Sequence, residues 1–346
     1  MTGFRHPPLA PGWIDAEHRR VELGDLALES GETIRDAFAT YVVHGRADRL
    51  AVDAIVGLAA IGSTHHRLDF LIGPGAPLDT ARYAVVVIDA LGNGLSSSPS
   101  NSAAQPGVLF PCFTVRDMVE SQRRVLEHLG VGKLVAVVGA SMGGMQALQW
   151  AVSHPDRMAR VIAMTPMART SRWSQLVNEM GRRALFEDAA CTRPRRRDDA
   201  MRLWVPLTQL VMMRTPEAIE DFMNRDALAH WIDERAHELG HDGPDAFDWC
   251  RQSQAYDAHD VGTTPGFDGD TARALASVRA TTLVLAPSQD LYNPVFAGRA
   301  AAMAIPGARF VELPGDDGHR CASGVSEAST AALCAAVRAC LAQPGR

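Results

Sequence analysis

The chain has 346 residues, of which 47% are hydrophobic, and its formal net charge is −6. This acidic balance excludes a general nucleic-acid binder, which would show a basic excess. No apolar run reaches the ~20 residues that a membrane-spanning helix needs, so we expect neither a nucleic acid nor a membrane as partner. A chain of this length can bury a large core without disulfides or metals.

The cysteines indicate a reducing environment. Six of them are scattered over the sequence, with no C-x-x-C pair and no Cys/His cluster, so a structural zinc site is not expected. The first 13 residues lack the apolar core of a secretory signal. We therefore expect a cytoplasmic protein with free thiols.

The predicted elements begin with a surface arm of about twenty residues, rich in Pro, Arg and His. Residues 23–31 and 36–45 show partial alternation and predict an antiparallel opening to a sheet. Strands and helices then alternate, which predicts a mostly parallel central sheet flanked by helices. Their order is strand 52–62, strand 82–92, helix 114–131, strand 134–141, helix 143–155 and strand 158–168.

The alternation stops between residues 169 and 266, where the pattern is helical and no buried strand is evident. It resumes with a strand at 281–290, a helix from about Asn293, a strand at 308–315 and a last helix at 327–342. We interpret residues 1–168 and 267–346 as one α/β core, and residues 169–266 as an inserted helical cap. The basic run Arg193–Arg197 lies in this cap. We interpret it as a solvated loop, or else as a group of charges that attracts an anionic substrate or the phosphates of coenzyme A.

One polar side chain stands between a predicted strand and a predicted helix, in "VAVVGASMGGMQALQWAV". The glycines at positions 139 and 143 flank Ser141 in the pattern Gly-x-Ser-x-Gly, which in this context is typical of a nucleophile elbow. Such a turn exposes the hydroxyl at the carboxyl edge of the sheet, where α/β proteins bind ligands. The backbone N–H of Met142 would then bind a developing oxyanion.

A serine hydroxyl needs a base, and this architecture orders the partners as Ser, acid, His. Asp290 follows one late strand and His319 follows the next. We predict that His319 takes the Ser141 proton, while Asp290 orients the imidazole. Asp316 and Asp317 share the loop of His319, and we interpret them as exposed turn residues.

Other candidates receive different interpretations. His259, in the cap, is expected to be a surface or packing residue. His65 and His66 suggest a metal site, but adjacent residues rarely bind one ion and no carboxylate cluster joins them in the sequence, so no metal is predicted. The second oxyanion donor is expected in the loop after strand 52–62, from Ala60 or else Ile61.

Several long segments resemble the homoserine O-acetyltransferase family of α/β-hydrolases. They are "LIGPGAPLDTARYAVVVIDALG", "FTVRDMVESQRRVLEHLGV", "VVGASMGGMQALQWAVSHPDR", "SRWSQLVNEMGRRAL" and "DAFDWCRQSQAYDAHDVG". The resemblance runs from about Val21 to near the C-terminus and implies the α/β-hydrolase fold. It also implies a triad of Ser141, Asp290 and His319 in a tunnel, and a homodimer formed through the cap helices.

The chain departs from that family at two substrate contacts. The family has an Asp for the substrate amine directly after the catalytic His, where this sequence has Arg320. The family's cap Arg for the substrate carboxylate aligns with Pro206, although Arg202 lies one helical turn earlier. The segment "LGNGLSSSPSN" resembles a side branch described as hydrolase-like. A buried substrate charge needs a partner, so homoserine is disfavoured, and Arg320 and Arg202 are candidate substrate contacts.

Two reactions fit these residues, and both pass through an acyl-Ser141 intermediate. The first is hydrolysis of a small acyl ester. The alternative is O-acetyl transfer from acetyl-CoA, as co-substrate, to an alcohol such as homoserine. Neither uses a resident cofactor. A non-catalytic binding protein is disfavoured because such a protein has no reason to keep all three groups.

Overall fold

The structure, a computed structural model, describes residue 6 and residues 8–222 and 226–343. These residues form an eight-stranded sheet in the order β1-β2-β6-β3-β7-β8-β9-β10, with a separate two-stranded ladder of β4 and β5. The strands are β1 Arg19–Ala27, β2 Thr33–His44, β3 Ala54–Leu58, β4 Ile72–Gly73, β5 Leu78–Asp79, β6 Ala84–Ile88, β7 Ala136–Ala140, β8 Arg160–Met164, β9 Thr281–Pro287 and β10 Arg309–Leu313.

The sheet opens with an antiparallel pair, as the sequence predicts. Strand β1 pairs with β2, and β2 pairs antiparallel with β6. From β6 onward every neighbouring pair is parallel. Strands β3, β6 and β7 are buried at every position, because helices cover both faces of a parallel sheet.

Some helices lie on the two faces of the sheet, and others belong to the segment of the chain that connects β8 to β9. The helices are α1 Leu50–Asp53, α2 Val115–His128, α3 Met142–Ser153, α4 Arg172–Leu185, α5 Arg197–Val205, α6 Pro216–Phe222, α7 Leu228–Asp242, α8 Ala246–Asp257, α9 Thr271–Ala276, α10 Val295–Ala304 and α11 Glu327–Ala342. Helix α2 begins at the predicted cap, Thr114, whose side chain accepts from the Asp117 N–H in a capping box.

Alternate residues of each central strand face opposite cores. Val56 and Val137 contribute to the core that holds α2, α3 and α10. Ile55 and Val138 contribute to the opposite core, which α11 covers with Leu333 and Val337. Because side chains alternate with a period of two, each central strand contributes side chains to both cores.

The segment predicted to form a cap carries helices α4 to α8. The helical winding changes within this segment: α5 ends at Val205, and residues Pro206–Val211 form a π-helical turn. Pro206 has no N–H to continue the helical ladder, which explains the change of winding. The boundaries of core and cap at 169 and 266 remain our prediction.

No helix among the described residues is long and apolar enough to cross a bilayer.

Candidate functional site

Ser141 lies on the sharp turn between β7 and α3. Its backbone dihedrals are φ 57° and ψ −122°, an uncommon conformation for a residue with a side chain. Its N–H donates to the Met164 carbonyl oxygen at 2.9 Å and to the Thr165 hydroxyl at 3.2 Å. These bonds to β8 and its following loop hold the strained turn in place.

The glycines around Ser141 are required by close backbone approach. A Cβ at Gly139 would lie 2.1 Å from the carbonyl oxygen of Gly143, and a Cβ at Gly143 would lie 2.3 Å from the carbonyl oxygen of Leu58. Any side chain at either position would force strand, turn and helix apart. The sequence pattern around Ser141 is thus explained by its tertiary neighbours.

Three side chains distant in sequence meet at this turn. Nε2 of His319 lies 2.8 Å from Oγ of Ser141, although the two residues are 178 positions apart. Nδ1 of His319 lies 2.8 Å from Oδ2 of Asp290. Asp290 follows β9, and His319 lies on a 3₁₀ turn, Gly318–Ala322, after β10. The geometry brings together the three residues that the sequence selected.

The carboxylate of Asp290 is held by backbone donors, and an aromatic ring packs beside its partner His319. Its Oδ1 accepts from the N–H groups of Tyr292 and Asn293, each at 2.8 Å. The ring of Tyr292 packs edge-on against the imidazole of His319, with centroids 5.1 Å apart. Burial raises the pKa of the Tyr292 and Tyr256 phenols, so both stay protonated.

The loop after β3 lies beside Ser141, as predicted. Ala60 and Ile61 line the same cavity as Ser141. The next N–H groups of the loop are already engaged: Gly62 donates to the side chain of Gln252 at 2.8 Å, and Ser63 donates to the Ala60 carbonyl at 3.2 Å. Met142 begins α3, so its N–H lies at the helix N-terminus, where the dipole favours negative charge.

Ser141 and His319 open into a cavity of about 1330 Å³. Its wall combines the loop after β3, the helices between β8 and β9, and the N-terminal arm through His6, Pro8 and Trp13. The arm is therefore part of the cavity wall, which the sequence did not predict.

Four arginines line this cavity: Arg67, Arg214, Arg320 and Arg235, of which Arg235 pairs with Glu238. Burial lowers the pKa of Arg67 to about 10. Burial also lowers the pKa of Arg214, and the nearby charge of Arg320 lowers it further. Among the described residues, none forms a salt bridge with Arg67 or Arg320. Arg67 and Arg320 thus contribute positive charge to a cavity wall that also carries the acidic residues Asp69, Glu238, Asp245 and Asp248.

Arg202 does not reach the site. Its side chain is exposed and pairs with Asp233 at 3.3 Å, outside the residues that line the cavity. The basic run also points elsewhere: Arg196 pairs with Asp199, and Arg197 donates to the carbonyl oxygens at the end of α7. Neither serves as a lure at this cavity.

Two rival residues have structural roles. Asp316 is exposed, as predicted, but Asp317 is partly buried and accepts hydrogen bonds from the hydroxyls of Ser326 and Ser329 at the start of α11. The interpretation of Asp317 as an exposed turn residue is wrong. His259 is a packing residue: it is buried, and its Nε2 lies 3.2 Å from the Met167 carbonyl oxygen.

The argument from sequence against His65 and His66 used a wrong premise. Nδ1 of His65 lies 3.1 Å from Oδ2 of Asp89, and Nδ1 of His66 lies 2.7 Å from Oδ2 of Asp69. Both carboxylates are buried, so each imidazole does have an acidic partner. Asp89 was missed because it approaches from β6, a different part of the sheet.

Sequence reasoning also missed several residues of the cavity. Arg67 follows the predicted oxyanion loop by a few positions, and that proximity was a usable signal. Arg214 and Asp248 come from the helical segment; Asp248 lies in the quoted stretch "DAFDWCRQSQAYDAHDVG" but was not singled out there. Asp248 is buried, and its two oxygens accept from the N–H of Ser100 at 2.8 Å and from its hydroxyl at 2.5 Å.

The fold and the site define an α/β protein of the hydrolase type, with helices inserted between β8 and β9. The chain belongs to the α/β-hydrolase fold family, whose model matches residues 57–319. Proteins named as acyltransferases and as esterases both occur among its relatives.

Individual relatives are moderately similar. A homoserine O-acetyltransferase from Solidesulfovibrio magneticus is 37% identical over 184 residues, covering 47% of this chain and 46% of the relative. The chain spans about half the length of the curated relatives it matches. The solved acetyl esterase MekB is 26% identical with a TM-score of 0.85, covering 94% of this chain and 97% of that one. An acetylester hydrolase from Corynebacterium glutamicum is 25% identical with a TM-score of 0.85, covering 94% and 96%.

Proposed function

We propose that the chain is a serine-dependent hydrolase of small acyl esters that acts through an acyl-Ser141 intermediate. The observation that carries the proposal is the continuous hydrogen-bonded line from Ser141 through His319 to Asp290, with 2.8 Å at both steps. The line ends in the large cavity, so an ester can approach the hydroxyl.

Acylation begins when Oγ of Ser141 attacks the ester carbonyl carbon and its proton passes to Nε2 of His319. Asp290 stabilises the imidazolium that forms. The N–H groups of Met142 and Ala60 are the proposed donors to the oxyanion. The tetrahedral intermediate then collapses, the C–O bond to the leaving group breaks, and His319 returns the proton to the departing alcohol.

Deacylation repeats these steps with water. His319 removes a proton from water as its oxygen attacks the acyl carbon, and the second tetrahedral intermediate releases the carboxylic acid. The proton returns to Oγ of Ser141. The proposed reaction uses no cofactor.

The charges of the cavity support an ester that carries a negative group. Arg67 and Arg320 line the cavity together with Ser141. Arg320 is partly buried, so an anionic substrate group beside it would offset the cost of burying its charge. The ammonium group of homoserine, bound next to Arg320, would meet a charge of the same sign, and this repulsion disfavours homoserine as the acceptor.

The second candidate is O-acetyl transfer from acetyl-CoA to an alcohol. It is favoured by the curated relatives, which are named homoserine O-acetyltransferases. Here the alcohol replaces water in deacylation, and the residues keep the same tasks. Hydrolysis is the better-supported reaction because Arg320 stands where the resemblance calls for an Asp.

The experiment is to follow p-nitrophenol release from p-nitrophenyl acetate, with and without added alcohols, and in parallel to offer acetyl-CoA and homoserine. Hydrolysis predicts steady release in water alone. The transferase would be established instead if release stopped after one turnover until an alcohol was added. It would also be established if transfer of the acetyl group to homoserine were faster than hydrolysis. A Ser141→Ala variant serves as the control, and undiminished turnover in it would refute both candidates.

A further inference from the structure

Three imidazoles other than that of His319 converge at the wall of the cavity. Nε2 of His6, on the N-terminal arm, lies 3.3 Å from Nε2 of His65 and 3.2 Å from Nε2 of His66. One ring nitrogen from each of the three histidines lies within 4.8 Å of the other two. His65 and His66 are buried on a 3₁₀ turn, and their ring centroids lie 4.1 Å apart with the rings tilted by 44°.

Two carboxylates orient the rings that carry these nitrogens. Asp89 faces Nδ1 of His65, and Asp69 faces Nδ1 of His66. In the tautomer that donates from Nδ1 to the carboxylate, Nε2 of each ring carries the lone pair. This pairing of carboxylate and imidazole is the usual second shell of metal-binding histidines, where it fixes the tautomer and raises the basicity of the ligand.

A count of hydrogens shows what the arrangement lacks. With Nδ1 of both His65 and His66 donating to carboxylates, two Nε2 lone pairs point toward Nε2 of His6. That nitrogen carries at most one hydrogen, so neutral imidazoles cannot satisfy all three atoms well. A cation at their centre satisfies all three, and the two carboxylates behind them compensate its charge.

We propose that Nε2 of His6, His65 and His66 form a binding site for a divalent transition-metal ion of the zinc class. Zinc–nitrogen bonds of about 2.0–2.1 Å in a tetrahedron place ligand nitrogens about 3.3 Å apart, and the two measured separations from His6 are 3.2 and 3.3 Å. Three imidazoles select zinc, copper or nickel over the hard cations magnesium and calcium. A fourth position is left for water or an anion, since His6 and His66 line the cavity.

The bound ion would tie the arm to the core. Trp13 already stacks on His66 with centroids 4.1 Å apart, and the Ile14 N–H donates to Asp69 at 2.8 Å. A metal bond from His6 adds a third attachment at the far end of the arm. The ion therefore closes one wall of the cavity that contains Ser141, whichever reaction the cavity supports.

A neighbouring group of His18, His65 and Asp89 is the less suitable site. Its contacts are ordinary hydrogen bonds: Nε2 of His18 lies 2.8 Å from Oδ2 of Asp89, which Thr40 also contacts at 3.0 Å. The other oxygen, Oδ1, accepts from the backbone N–H of His65 at 2.9 Å and from Asn93 at 3.0 Å. Asp89 is thus fully occupied as an orienting group.

The test uses the full chain, treated with a chelator and then titrated with Zn²⁺ against a chromophoric competitor. We expect one tight equivalent, a rise in Tm that follows the Zn²⁺ concentration, and the visible spectrum of a four-coordinate ion when Co²⁺ is used. His6→Ala should lower the affinity at least tenfold, and Asp69→Asn by about 10–100-fold. His230→Ala, on exposed α7, is the matched control and should bind as the wild type does.

The His6 variant alters only the arm, so its folding is readily verified by circular dichroism and its binding result remains interpretable. Absence of a stoichiometric Zn²⁺ site in the wild type would overturn the proposal. Unchanged binding in His6→Ala would overturn it as well. Binding that survives in His6→Ala but disappears in His18→Ala would place the ion on His18, His65 and Asp89 and reject the assignment made here.

Discussion

Nδ1 of His319 lies 2.8 Å from Oδ2 of Asp290, and the side chain of Asp290 has no exposure to solvent. With Nδ1 donating to this carboxylate, the lone pair of the imidazole is on Nε2, 2.8 Å from the hydroxyl of Ser141. Asp290 therefore acts on the transfer of the Ser141 proton indirectly, by orienting His319.

The first prediction concerns that carboxylate. Asp290→Asn keeps the shape of the side chain, but its amide can donate to Nδ1 and so favours the wrong tautomer of His319. We expect kcat for p-nitrophenyl acetate to fall by about 10³–10⁴ with KM little changed. Asp316→Asn, in the exposed part of the same loop, is the control. A normal kcat in Asp290→Asn would assign another acid to the site.

The second prediction concerns the charge at the cavity wall. Arg320→Ala should raise KM for an ester with a carboxylate in its acyl or alcohol part by roughly tenfold or more, because a charged hydrogen bond is worth about 1.5–3 kcal/mol. KM for a neutral ester of similar size should change little. Arg202→Ala, whose side chain is paired at the surface, is the matched control. Equal changes for both esters would make Arg320 a structural residue.

The third prediction concerns the pH dependence of stability. Burial, aided by the charge of Asp245, raises the pKa of Asp248 from 3.8 to about 7. Between these two values the folded chain holds a proton that the unfolded chain releases. Stability therefore falls as the pH rises through this window, by at most about 1.4 kcal/mol per pH unit, and levels off above about 7.

Asp248→Asn tests this dependence because it removes the titration while its amide can still pair with Ser100. The free energy of unfolding in urea, measured from pH 5 to pH 8, should fall less steeply in the variant than in the wild type. Asp221→Asn, exposed on α6, should leave the slope unchanged. Parallel curves for wild type and Asp248→Asn would mean that Asp248 is ionised throughout.

The fourth prediction concerns the tight contact behind the nucleophile. In Gly143→Ala the added methyl would lie 2.3 Å from the carbonyl oxygen of Leu58. We expect a loss of about 1–3 kcal/mol of stability and a lower kcat, since β3 leads into the proposed oxyanion loop. Gly132→Ala has nothing within 4 Å of the new methyl and is the control. A fully active, stable Gly143→Ala would contradict the proposed geometry of the turn.

The fifth prediction concerns assembly. We propose the homodimer through the cap helices that the family resemblance implies, and α4 offers a suitable surface. Trp173, Leu176 and Met180 are 47%, 53% and 48% exposed at helical spacing. Leu176→Asp should convert a dimer to a monomer in light scattering, because it would bury an unpaired charge. Met303→Asp, 88% exposed on α10, should not. A monomeric wild type would refute the dimer.

The amino-acid sequence by itself determined the order of the main strands and helices and the choice of Ser141, His319 and Asp290 as the hydrogen-bonded residues of the site. Strand and helix periods are local signals, and so are the glycines of the elbow. The positions of Asp290 and His319 followed from them, because the carboxyl ends of parallel strands share one edge of the sheet.

Only the tertiary structure decided which side chains from different elements face one another. No period relates His6 to His66, Asp89 to His65, or Arg214 to Arg320, and sequence reasoning wrongly expected Arg202 at the cavity and no carboxylate near His65. These pairs result from how helices and the arm pack on the sheet, a choice made by many weak apolar contacts spread over the whole chain. A local pattern cannot encode that sum, so the walls of the cavity became known only from the fold.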